Sequence, residues 1–236
     1  MTVEHANDTP RNMTPVPPAQ PHPPIRHVIW DWNGTLFDDS EYCRHVMNAM
    51  LTRRNMPPLT PERYQRIFDF PVQRYYERIG FDFTREPFEQ LGAEFMRGYE
   101  HGRHACRLRD AATQTLDWLR HAAIGMSILS AYRHDALQRI LQDHSIAHLF
   151  DHILGIDNDY ATGKLEQGHQ LMARLNLPPS SILLIGDTLH DAEVAHDLGV
   201  SCWLLASGSQ HPERLAATGL PVFLDHPTLL RHLQQP

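Results

Sequence analysis

The stretch "VIWDWNGTLFDD" (residues 28–39) joins an apolar run directly to a polar turn. The run has strand length and ends at Asp31 with no intervening loop. Asn33, Gly34 and Thr35 follow, a composition typical of tight turns because glycine and asparagine accept backbone angles that other residues avoid. The acid at the end of the strand and the amide shortly after it are therefore the first candidates for chemistry.

Further apolar runs of strand length follow along the chain, separated by amphipathic stretches. Together with the first, the strand candidates are 27–30, 125–130, 152–155, 181–186, 201–206 and 221–224. Apolar residues recur at helical spacing at 111–122, 135–144, 165–177, 191–199 and 226–233. Strands that alternate with helices form parallel sheets covered on both faces. We therefore predict an α/β fold, a Rossmann-like parallel sheet with helices on both faces.

Residues 40–107 interrupt this alternation, because no apolar run of comparable quality occurs there. Helical patterns are found instead at 40–55, 61–69, 72–79 and 86–104. The segment is too long for a loop, since most connections in compact domains have about 4–6 residues. We predict an all-helical insertion at 40–107, which divides the α/β core into 25–39 and 108–236.

The first 24 residues contain seven prolines and almost no large apolar side chains. Such a segment cannot bury enough surface to offset the entropy lost on ordering. We expect residues 1–24 to be a disordered or extended tail, and we assign no chemistry to it.

Composition and charge disfavour several classes of function. The chain has 236 residues and a formal net charge of −7, which argues against nucleic acid binding by bulk charge. Three scattered cysteines without a metal-ligand spacing fit a reducing compartment. No apolar run approaches the roughly 18 residues of a membrane span, and no secretory signal pattern is present. We expect a cytoplasmic monomer or homodimer with no membrane partner. The helically spaced pair His101 and His104 is too small a ligand set for zinc.

Polar side chains mark the carboxyl ends of several predicted strands or follow closely after them. These residues are Asp31, Ser130, Lys164, Asp187 and Asp191. In open parallel α/β sheets, ligands bind outside the carboxyl ends of the strands. We therefore expect the five side chains to converge on one site.

This set of groups suits a magnesium ion and a phosphate. Clustered carboxylates repel one another and need a cation, and Mg²⁺ prefers oxygen ligands and also takes substrate phosphate oxygens. A lysine and a hydroxyl can bind the remaining phosphate oxygens, and backbone N–H groups of the turn at 33–35 can form an anion site. A carboxylate beside the metal can then act as a nucleophile.

Each of the five residues also has a purely structural interpretation. Asp31 and Asp187 could be turn residues at strand ends. Ser130 could be the N-cap of the following helix. Lys164 could lie on the surface in solvent, and Asp191 could favour the dipole in the first turn of a helix.

Four motifs in this order resemble those of the haloacid dehalogenase superfamily. They are "DWNGTLFD" (31–38), "SILSA" (127–131), "TGK" (162–164) and "GDTLHD" (186–191), and the similarity spans 27–210. The resemblance implies a layout like that of the phosphoglycolate phosphatases. In that layout the insertion is a type-1 cap, which closes over the site about hinges near Asp38 and residue 107 and selects the substrate.

The resemblance also implies a role for each matching residue. Asp31 would be the nucleophile that forms an aspartyl-phosphate. The Mg²⁺ ligands would be Asp31, Asp187, Asp191 and the backbone carbonyl of Asn33. The phosphoryl group would be bound by Gly34, Thr35, Ser130, Ala131 and Lys164. The implied activity is Mg²⁺-dependent hydrolysis of a small phosphorylated metabolite.

Asn33 departs from the family pattern, in which the phosphatases usually carry a second aspartate that protonates the leaving alcohol. An amide exchanges no proton near neutral pH, although it can donate a hydrogen bond. General acid–base catalysis is worth about 10²–10⁴-fold, so a slower phosphatase is expected. His101 or Tyr76 could supply the proton, or the leaving group could have a low pKa.

Two other functions stay open at this point. One is a phosphotransferase, and the other is a catalytically impaired protein that binds a phosphorylated ligand. Retention of Asp31, Lys164 and Asp187 disfavours a pure binding protein, which needs no nucleophile. A dehalogenase is disfavoured because it needs no Mg²⁺, whereas the "GDTLHD" motif is intact.

The stretch 68–83 of the insertion is rich in aromatic residues and has two interpretations. It could be a substrate loop, with Arg74 as the anion contact and tyrosines that stack on a planar group. Alternatively, its aromatic side chains form the core of the cap; these are Phe68, Phe70, Tyr75, Tyr76 and Phe81. We favour the core, because aromatic clusters at helical spacing more often pack internally. Pro71 is expected to start a helix.

Overall fold

The computed structural model describes residues 24–157 and 163–235, so nearly all of the predicted tail at 1–24 lies outside the described residues. In chain order the strands are β1 (His27–Trp30), β2 (Phe37–Asp38), β3 (Arg107–Leu108), β4 (Gly125–Arg133), β5 (His152–Ile156), β6 (Ile182–Gly186), β7 (Ser201–Leu205) and β8 (Val222–Phe223). The α-helices are α1 (Ser40–Arg53), α2 (Pro61–Ile67), α3 (Val72–Ile79), α4 (Phe88–Gly102), α5 (Ala112–His121), α6 (His134–Asp143), α7 (Leu165–Leu175), α8 (Leu189–Leu198), α9 (Pro212–Ala216) and α10 (His226–Leu233). Within these ranges, no helix has both the length and the apolar character needed to cross a membrane.

Six strands form one parallel sheet in the order β5-β4-β1-β6-β7-β8. Strand β1 is central and pairs with β4 on one side and β6 on the other. The chain builds one half of the sheet with β4 and β5, then crosses to the other half through β6. The carboxyl ends of β4, β1 and β6 therefore lie side by side, at the change of direction where open α/β sheets bind ligands.

Alternation along the strands directs side chains into two apolar layers. Val28 and Trp30 join the layer that contains α5, α6 and α10, whereas Ile29 joins the layer that contains α7, α8 and α9. Successive residues of a strand point to opposite faces, and both faces of a parallel sheet are covered. The predicted α/β class, with helices on both faces, is confirmed.

The inserted segment is helical, as predicted, and has its own core. Helices α1 to α4 lie between β2 and β3, and Met47, Met50 and Leu91 pack there with the aromatic residues of the segment. The strands β2 and β3 form a short antiparallel pair, with Phe37 opposite Leu108, where the chain enters and leaves this segment. Two-residue strands have no detectable periodicity, so the sequence did not predict this pair.

Strand β4 is longer than predicted. It continues to Arg133, and its pairing with β5 shifts register between Leu129 and Arg133. Ser130 therefore lies inside β4 and not at its end. The N-cap of α6 is Arg133, so Ser130 does not cap the following helix.

Candidate active site

Three neighbouring strands bring the predicted polar residues together. Asp31 follows β1, Asp187 follows β6, and Ser130 lies in β4 between the two ends of its strand. Asp31 is 8% exposed, and Asp187 and Ser130 are buried. Polar side chains at this depth normally have bonding partners, and the surrounding residues supply them.

Three carboxylates form the centre of the site. Asp31, Asp187 and Asp191 each offer an oxygen atom, and the three atoms lie within 4.8 Å of one another. The ammonium group of Lys164, which is 2% exposed, lies 2.5 Å from Asp31 Oδ1 and 2.6 Å from Asp191 Oδ1. It also donates to the Leu129 carbonyl at 3.0 Å. One buried cation thus compensates part of the charge of three buried carboxylates.

The pKa values reflect this imbalance. Burial, together with the carboxylates of Asp191 and Asp187, raises the pKa of Asp31 against the opposing effect of Lys164. Burial and Asp191 raise the pKa of Asp187 to about 6. Burial acts against ionised Asp191 as well, but its contact with Lys164 outweighs this and lowers the pKa. For Lys164 the two carboxylates outweigh burial and raise the pKa. The cluster would therefore gain from a second cation.

Two threonines fix the orientation of the carboxylates. The Thr35 hydroxyl lies 3.0 Å from Asp31 Oδ2 and 2.9 Å from Asp187 Oδ1, so it can donate to either. Thr188 is the N-cap of α8 and forms a reciprocal capping box with Asp191. Its hydroxyl and its backbone N–H both approach Asp191 Oδ2, at 2.6 Å and 2.9 Å. The predicted first-turn position of Asp191 and its place in the acidic cluster are therefore both observed.

Close backbone approach around Asp187 requires glycine at two positions. Gly34 has a φ of +77°, and a Cβ there would lie 2.3 Å from Asp187 Oδ2. A Cβ at Gly208 would lie 2.2 Å from Asp187 Cβ and Oδ2. Next to Gly208, the Ser209 N–H donates to Asp187 Oδ2 at 2.5 Å. Any larger residue at either position must displace this carboxylate.

Two of the three N–H groups of the predicted anion site at 33–35 are already bonded within the protein. The N–H of Gly34 donates to the Phe37 carbonyl and to Asp39 Oδ1, each at 3.0 Å, and that of Thr35 lies 3.3 Å from the Trp32 carbonyl. Neither Gly34 nor Thr35 lines the cavity described below. Both residues position the acidic cluster instead, because their donors are already satisfied by the protein.

Asn33 belongs to a hydrogen-bonded group that the sequence did not reveal. Its amide nitrogen Nδ2 donates to Asp39 Oδ2 at 2.6 Å and lies 2.8 Å from the Tyr99 hydroxyl, which itself donates to Asp39 Oδ2 at 2.6 Å. Burial raises the pKa of Asp39 against the effect of these donors. The amide of Asn33 therefore has a local partner for which a carboxylate at this position would be unsuited.

The donor set fits a hard divalent cation. Asp191 Oδ1, although close to Lys164, accepts no well-oriented hydrogen bond within the described part of the chain. The carbonyl oxygen of Asn33 likewise accepts none there. Three carboxylates and a free carbonyl are oxygen ligands of the kind that Mg²⁺ takes. The residues present thus fit the predicted metal.

A cavity of about 150 Å³ opens above Asp31. The core contributes Asp31, Asn33, Ser130, Ala131, Arg133, Lys164, Asp187, His190 and Asp191 to its lining, among others. The helical insertion contributes an aromatic wall that contains Tyr64, Phe68, Phe70, Tyr75, Tyr76, Phe88, Phe95 and Tyr99. The nucleophile candidate, the lysine and the acidic cluster therefore face one space between core and insertion.

Several residues from the sequence analysis do not reach this space. Arg74 is exposed on α3, since the buried face of that helix carries Tyr75 and Tyr76, so the expected anion contact is not formed. His101 is exposed and is not among the lining residues. Tyr76 does line the cavity, but burial raises its pKa, which makes it a weaker acid.

Aromatic side chains of the stretch 68–83 pack in the core of the insertion, and some of them also line the cavity. Phe68 and Tyr75 pack edge-to-face at 5.2 Å, and Tyr76 packs on Phe81 at 5.3 Å, so these rings are core residues of the insertion. Phe68, Tyr75 and Tyr76 also line the cavity. Pro71 is the N-cap residue of α3, one position before the helix begins.

Sequence reasoning missed Asp39, Tyr99 and Ser209. Asp39 follows the first motif directly, and a second acid beside "LFD" was a detectable signal. Ser209 lies in "SGS" (207–209), just after the carboxyl end of β7. It was therefore detectable, because ligands bind outside the carboxyl ends of parallel strands. Tyr99 has no such signal, because its partner lies 60 residues away.

Comparison with known proteins agrees with this architecture. The N-acetylmuramic acid 6-phosphate phosphatase of Pseudomonas aeruginosa is 25% identical over 208 residues, which cover 86% of this chain and 92% of that protein. Phosphoglycolate phosphatase 1 of the same organism is 24% identical over 213 residues, which cover 87% and 75%. A haloacid dehalogenase-like hydrolase from Streptococcus pneumoniae superposes with a TM-score of 0.76 at 19% identity, covering 89% of this chain and 99% of that one.

The family itself is established by a match that includes all four motifs. The model described as haloacid dehalogenase-like hydrolase matches residues 28–205, well over half of the 236 residues. That interval contains Asp31, Ser130, Lys164, Asp187 and Asp191. The chain belongs to the haloacid dehalogenase-like hydrolase family.

Proposed function

We propose that the protein is a Mg²⁺-dependent phosphatase that hydrolyses a small phosphorylated metabolite through an aspartyl-phosphate on Asp31. The observation that carries this proposal is the position of Asp31 at the cavity, 2.5 Å from Lys164 and inside the acidic cluster. A carboxylate nucleophile needs nearby cations to stay ionised and to accept a phosphate dianion. The names of the two Pseudomonas relatives belong to the same reaction class.

Magnesium would be held by Asp31, Asp187 and Asp191, with the Asn33 carbonyl as a further ligand. When bound, it would neutralise charge on the carboxylates and on the phosphoryl group. A cation here also favours the ionised carboxyl groups and so opposes the raised pKa values of Asp31 and Asp187.

The reaction would proceed in two steps. In the first, an Asp31 oxygen forms a bond to phosphorus while the bond between phosphorus and the leaving oxygen breaks. Lys164, the Ser130 hydroxyl and the Ala131 N–H are suited to binding the phosphoryl oxygens, since all three residues line the cavity. In the second step, water attacks phosphorus, inorganic phosphate departs and the Asp31 carboxylate is restored.

Asn33 limits the first step. Its amide can donate a hydrogen bond to the leaving oxygen but cannot transfer a proton, and this favours leaving groups of low pKa. The same amide favours two alternative functions, which are a protein that binds a phosphorylated ligand without turnover and a phosphotransferase. Both alternatives predict an aspartyl-phosphate that water does not clear, or no phosphate release at all.

The test is a phosphate-release assay with purified protein and Mg²⁺, using phosphomonoesters whose leaving groups have graded pKa values. Asp31→Asn is the control for nucleophile-dependent turnover, and EDTA is the control for the metal. We expect release that requires both Asp31 and Mg²⁺. A phosphorylated protein that accumulates without release, detected after acid quench, would support a binding or phosphotransfer function instead.

The Asn33→Asp variant separates an adapted site from an impaired one. If the parent releases no phosphate and Asn33→Asp does, the parent is an impaired relative and the proposal fails. Because this single change places two acids together, the double variant Asn33→Asp with Asp39→Asn is measured beside it. That double variant exchanges the amide and the carboxylate and keeps one of each.

A further inference from the structure

We propose that the cavity selects a phosphate ester whose leaving group is a neutral aromatic ring, that is, a small aryl phosphate. This inference rests on the proposed phosphatase function and deepens it. It is carried by the aromatic lining, by the distribution of charge around the cavity and by two buried polar atoms that lack partners among the described residues. The two Pseudomonas relatives are named for N-acetylmuramic acid 6-phosphate and phosphoglycolate, which are not aryl esters. The inference is therefore drawn from the residues of this chain.

The aromatic wall suits a planar ring. Tyr64, Phe68 and Tyr75 pack against one another with ring centroids 5.2–5.9 Å apart, in one stacked and two edge-to-face pairs. All three also line the cavity, so a bound ring can extend this arrangement. Such aromatic contacts stabilise a bound ring beyond the effect of buried area alone.

The insertion offers no charge to a second anionic group on the substrate. Twelve of its described residues line the cavity, and none of these twelve is Lys, Arg, His, Asp or Glu. A carboxylate buried against this wall would lose its hydration without an ion-pair partner, which is costly.

Two lysine or arginine side chains line the cavity from the core, and both have partners. Lys164 is held by Asp31 and Asp191. Arg133 donates from Nε to Asp135 at 2.5 Å. Both cations on the core side are therefore engaged by carboxylates of the protein.

Two residues of the lining each carry a buried polar atom that has no partner among the described residues. The Tyr75 hydroxyl, on a residue that is 2% exposed, has no hydrogen-bond partner among the described residues. The same holds for His190 Nε2 within that part of the chain, where His190 also stacks on Phe70 with a centroid distance of 4.9 Å. A hydroxyl or similar neutral polar group on the ring that reached either atom would pair with a group that has no partner among the described residues.

The aromatic wall and Asn33 favour the same leaving group, which is an aryl oxygen. A phenolic oxygen has a pKa of about 10, far below the value of about 15.7 for water. An aryl oxygen can therefore depart with little help from an acid. Asn33, which faces the cavity, supplies no acidic proton.

The first test compares matched esters on the full-length protein with Mg²⁺. The esters 4-hydroxyphenyl phosphate and 4-carboxyphenyl phosphate share a ring and differ in charge, and phosphoglycolate carries a carboxylate without a ring. We expect kcat/KM to be at least tenfold higher for the hydroxyphenyl ester than for either carboxylate. Equal values, or a preference for a carboxylate, would overturn the inference while leaving the phosphatase proposal intact.

Gly92 provides a sharper test. It is buried on α4 and lines the cavity, yet a Cβ there would meet no atom within 4 Å, so it borders open space. Gly92→Lys brings a cation into the wall and removes no contact, and lysine is also a better helix former than glycine. We expect it to shift the kcat/KM ratio at least tenfold towards the 4-carboxyphenyl ester. Gly92→Met, which fills similar space without charge, should lower both values and leave the ratio unchanged.

The Tyr75 hydroxyl is tested by Tyr75→Phe. We expect a loss of about tenfold in kcat/KM for 4-hydroxyphenyl phosphate relative to phenyl phosphate. Tyr42→Phe is the matched control, because that hydroxyl donates to the Gly98 carbonyl and lies outside the cavity.

A Gly92→Lys variant that folds and leaves the ratio unchanged would contradict the inference. A Tyr75→Phe variant that affects both esters equally would also contradict it.

Binding keeps the inference testable if no ester is hydrolysed. Phenylphosphonate and phosphonoacetate resist hydrolysis, and their affinities for the parent protein with Mg²⁺ can be measured by calorimetry. Tighter binding of phenylphosphonate supports the neutral aromatic site even if phosphate release, and with it the proposed function, fails. Tighter binding of phosphonoacetate overturns it.

Discussion

Asn33 and Asp39 form a hydrogen-bonded pair beside the candidate nucleophile, with Asn33 Nδ2 at 2.6 Å from Asp39 Oδ2. Asp39 is 1% exposed and also accepts from Tyr99 and from the Gly34 N–H. The amide at position 33 is therefore matched to a buried acid six residues later, and exchange of one partner has consequences for the other.

Asn33→Asp is expected to lower the free energy of unfolding by about 2–4 kcal/mol at pH 7, because it replaces a hydrogen-bond donor with a second carboxylate beside the buried Asp39. Adding Asp39→Asn should recover at least half of that loss, since the amide and the acid then exchange places. Urea denaturation of the four proteins in this cycle measures the coupling. Additive losses would show that the pair is not coupled.

Magnesium is expected to raise the Tm more at pH 7 than at pH 4.5. Burial and Asp191 raise the pKa of Asp187 to about 6, above the usual value near 4. Between about pH 4 and pH 6, native Asp187 retains a proton that the unfolded chain has released. This carboxyl therefore lowers the free energy of unfolding as pH rises. Mg²⁺ binds the ionised form, and its stabilising effect should grow over the same window.

The measurement is the difference between thermal unfolding profiles in Mg²⁺ and in EDTA across that pH range. The difference is needed because burial lowers the pKa values of His27 and His226 to about 4. These neutral histidines lower stability as pH falls from about 6.5, which opposes the effect of Asp187. Asp187→Asn should abolish most of the Mg²⁺ effect, and a Mg²⁺ effect of unchanged size in that variant would remove Asp187 from the metal site.

Thr188→Ala is expected to reduce stability by about 0.5–2 kcal/mol through loss of the N-cap of α8. It should also weaken Mg²⁺ binding, because Thr188 Oγ1 holds Asp191 Oδ2 at 2.6 Å. Calorimetric titration with Mg²⁺ checks the second effect.

Thr60→Ala is the matched control, since Thr60 caps α2 by accepting from the Arg63 N–H at 3.1 Å and lies outside the acidic cluster. The two variants should lose similar stability, but Mg²⁺ affinity should fall in Thr188→Ala alone. Equal affinity in both would contradict the positioning role of Thr188.

Gly34→Ala is expected to weaken Mg²⁺ binding at least tenfold, since the new Cβ would lie 2.3 Å from Asp187 Oδ2 and must displace it. Gly80→Ala separates this effect from backbone strain. Gly80 also has a positive φ, +114°, but a Cβ there approaches nothing closer than Met56 at 3.6 Å. Both variants pay a backbone cost of about 1–2 kcal/mol, and Mg²⁺ affinity measured by titration should be unchanged in Gly80→Ala.

Local patterns in the sequence predicted the sheet, the helical insertion and five polar residues near the carboxyl ends of strands. Strand runs such as 27–30 and 182–186 are continuous and apolar because both faces of a parallel sheet are buried. Asp31 and Asp187 could be placed at one edge because parallel strands end together. Each of these inferences depends on periodicity or on spacing within a few residues.

Only the tertiary structure decided how the remaining groups are used. Tyr99 meets Asp39 across 60 residues of sequence, and the backbone donors of Gly34 and Thr35 are taken up by the protein. The exposed position of Arg74 follows from which face of α3 packs inward. The sequence by itself determined the family and the acidic centre, because these are written in contiguous motifs. The contact of Tyr99 with Asn33 and Asp39 and the uncharged aromatic wall depend on how the insertion packs over the core, since long-range contacts leave no local pattern.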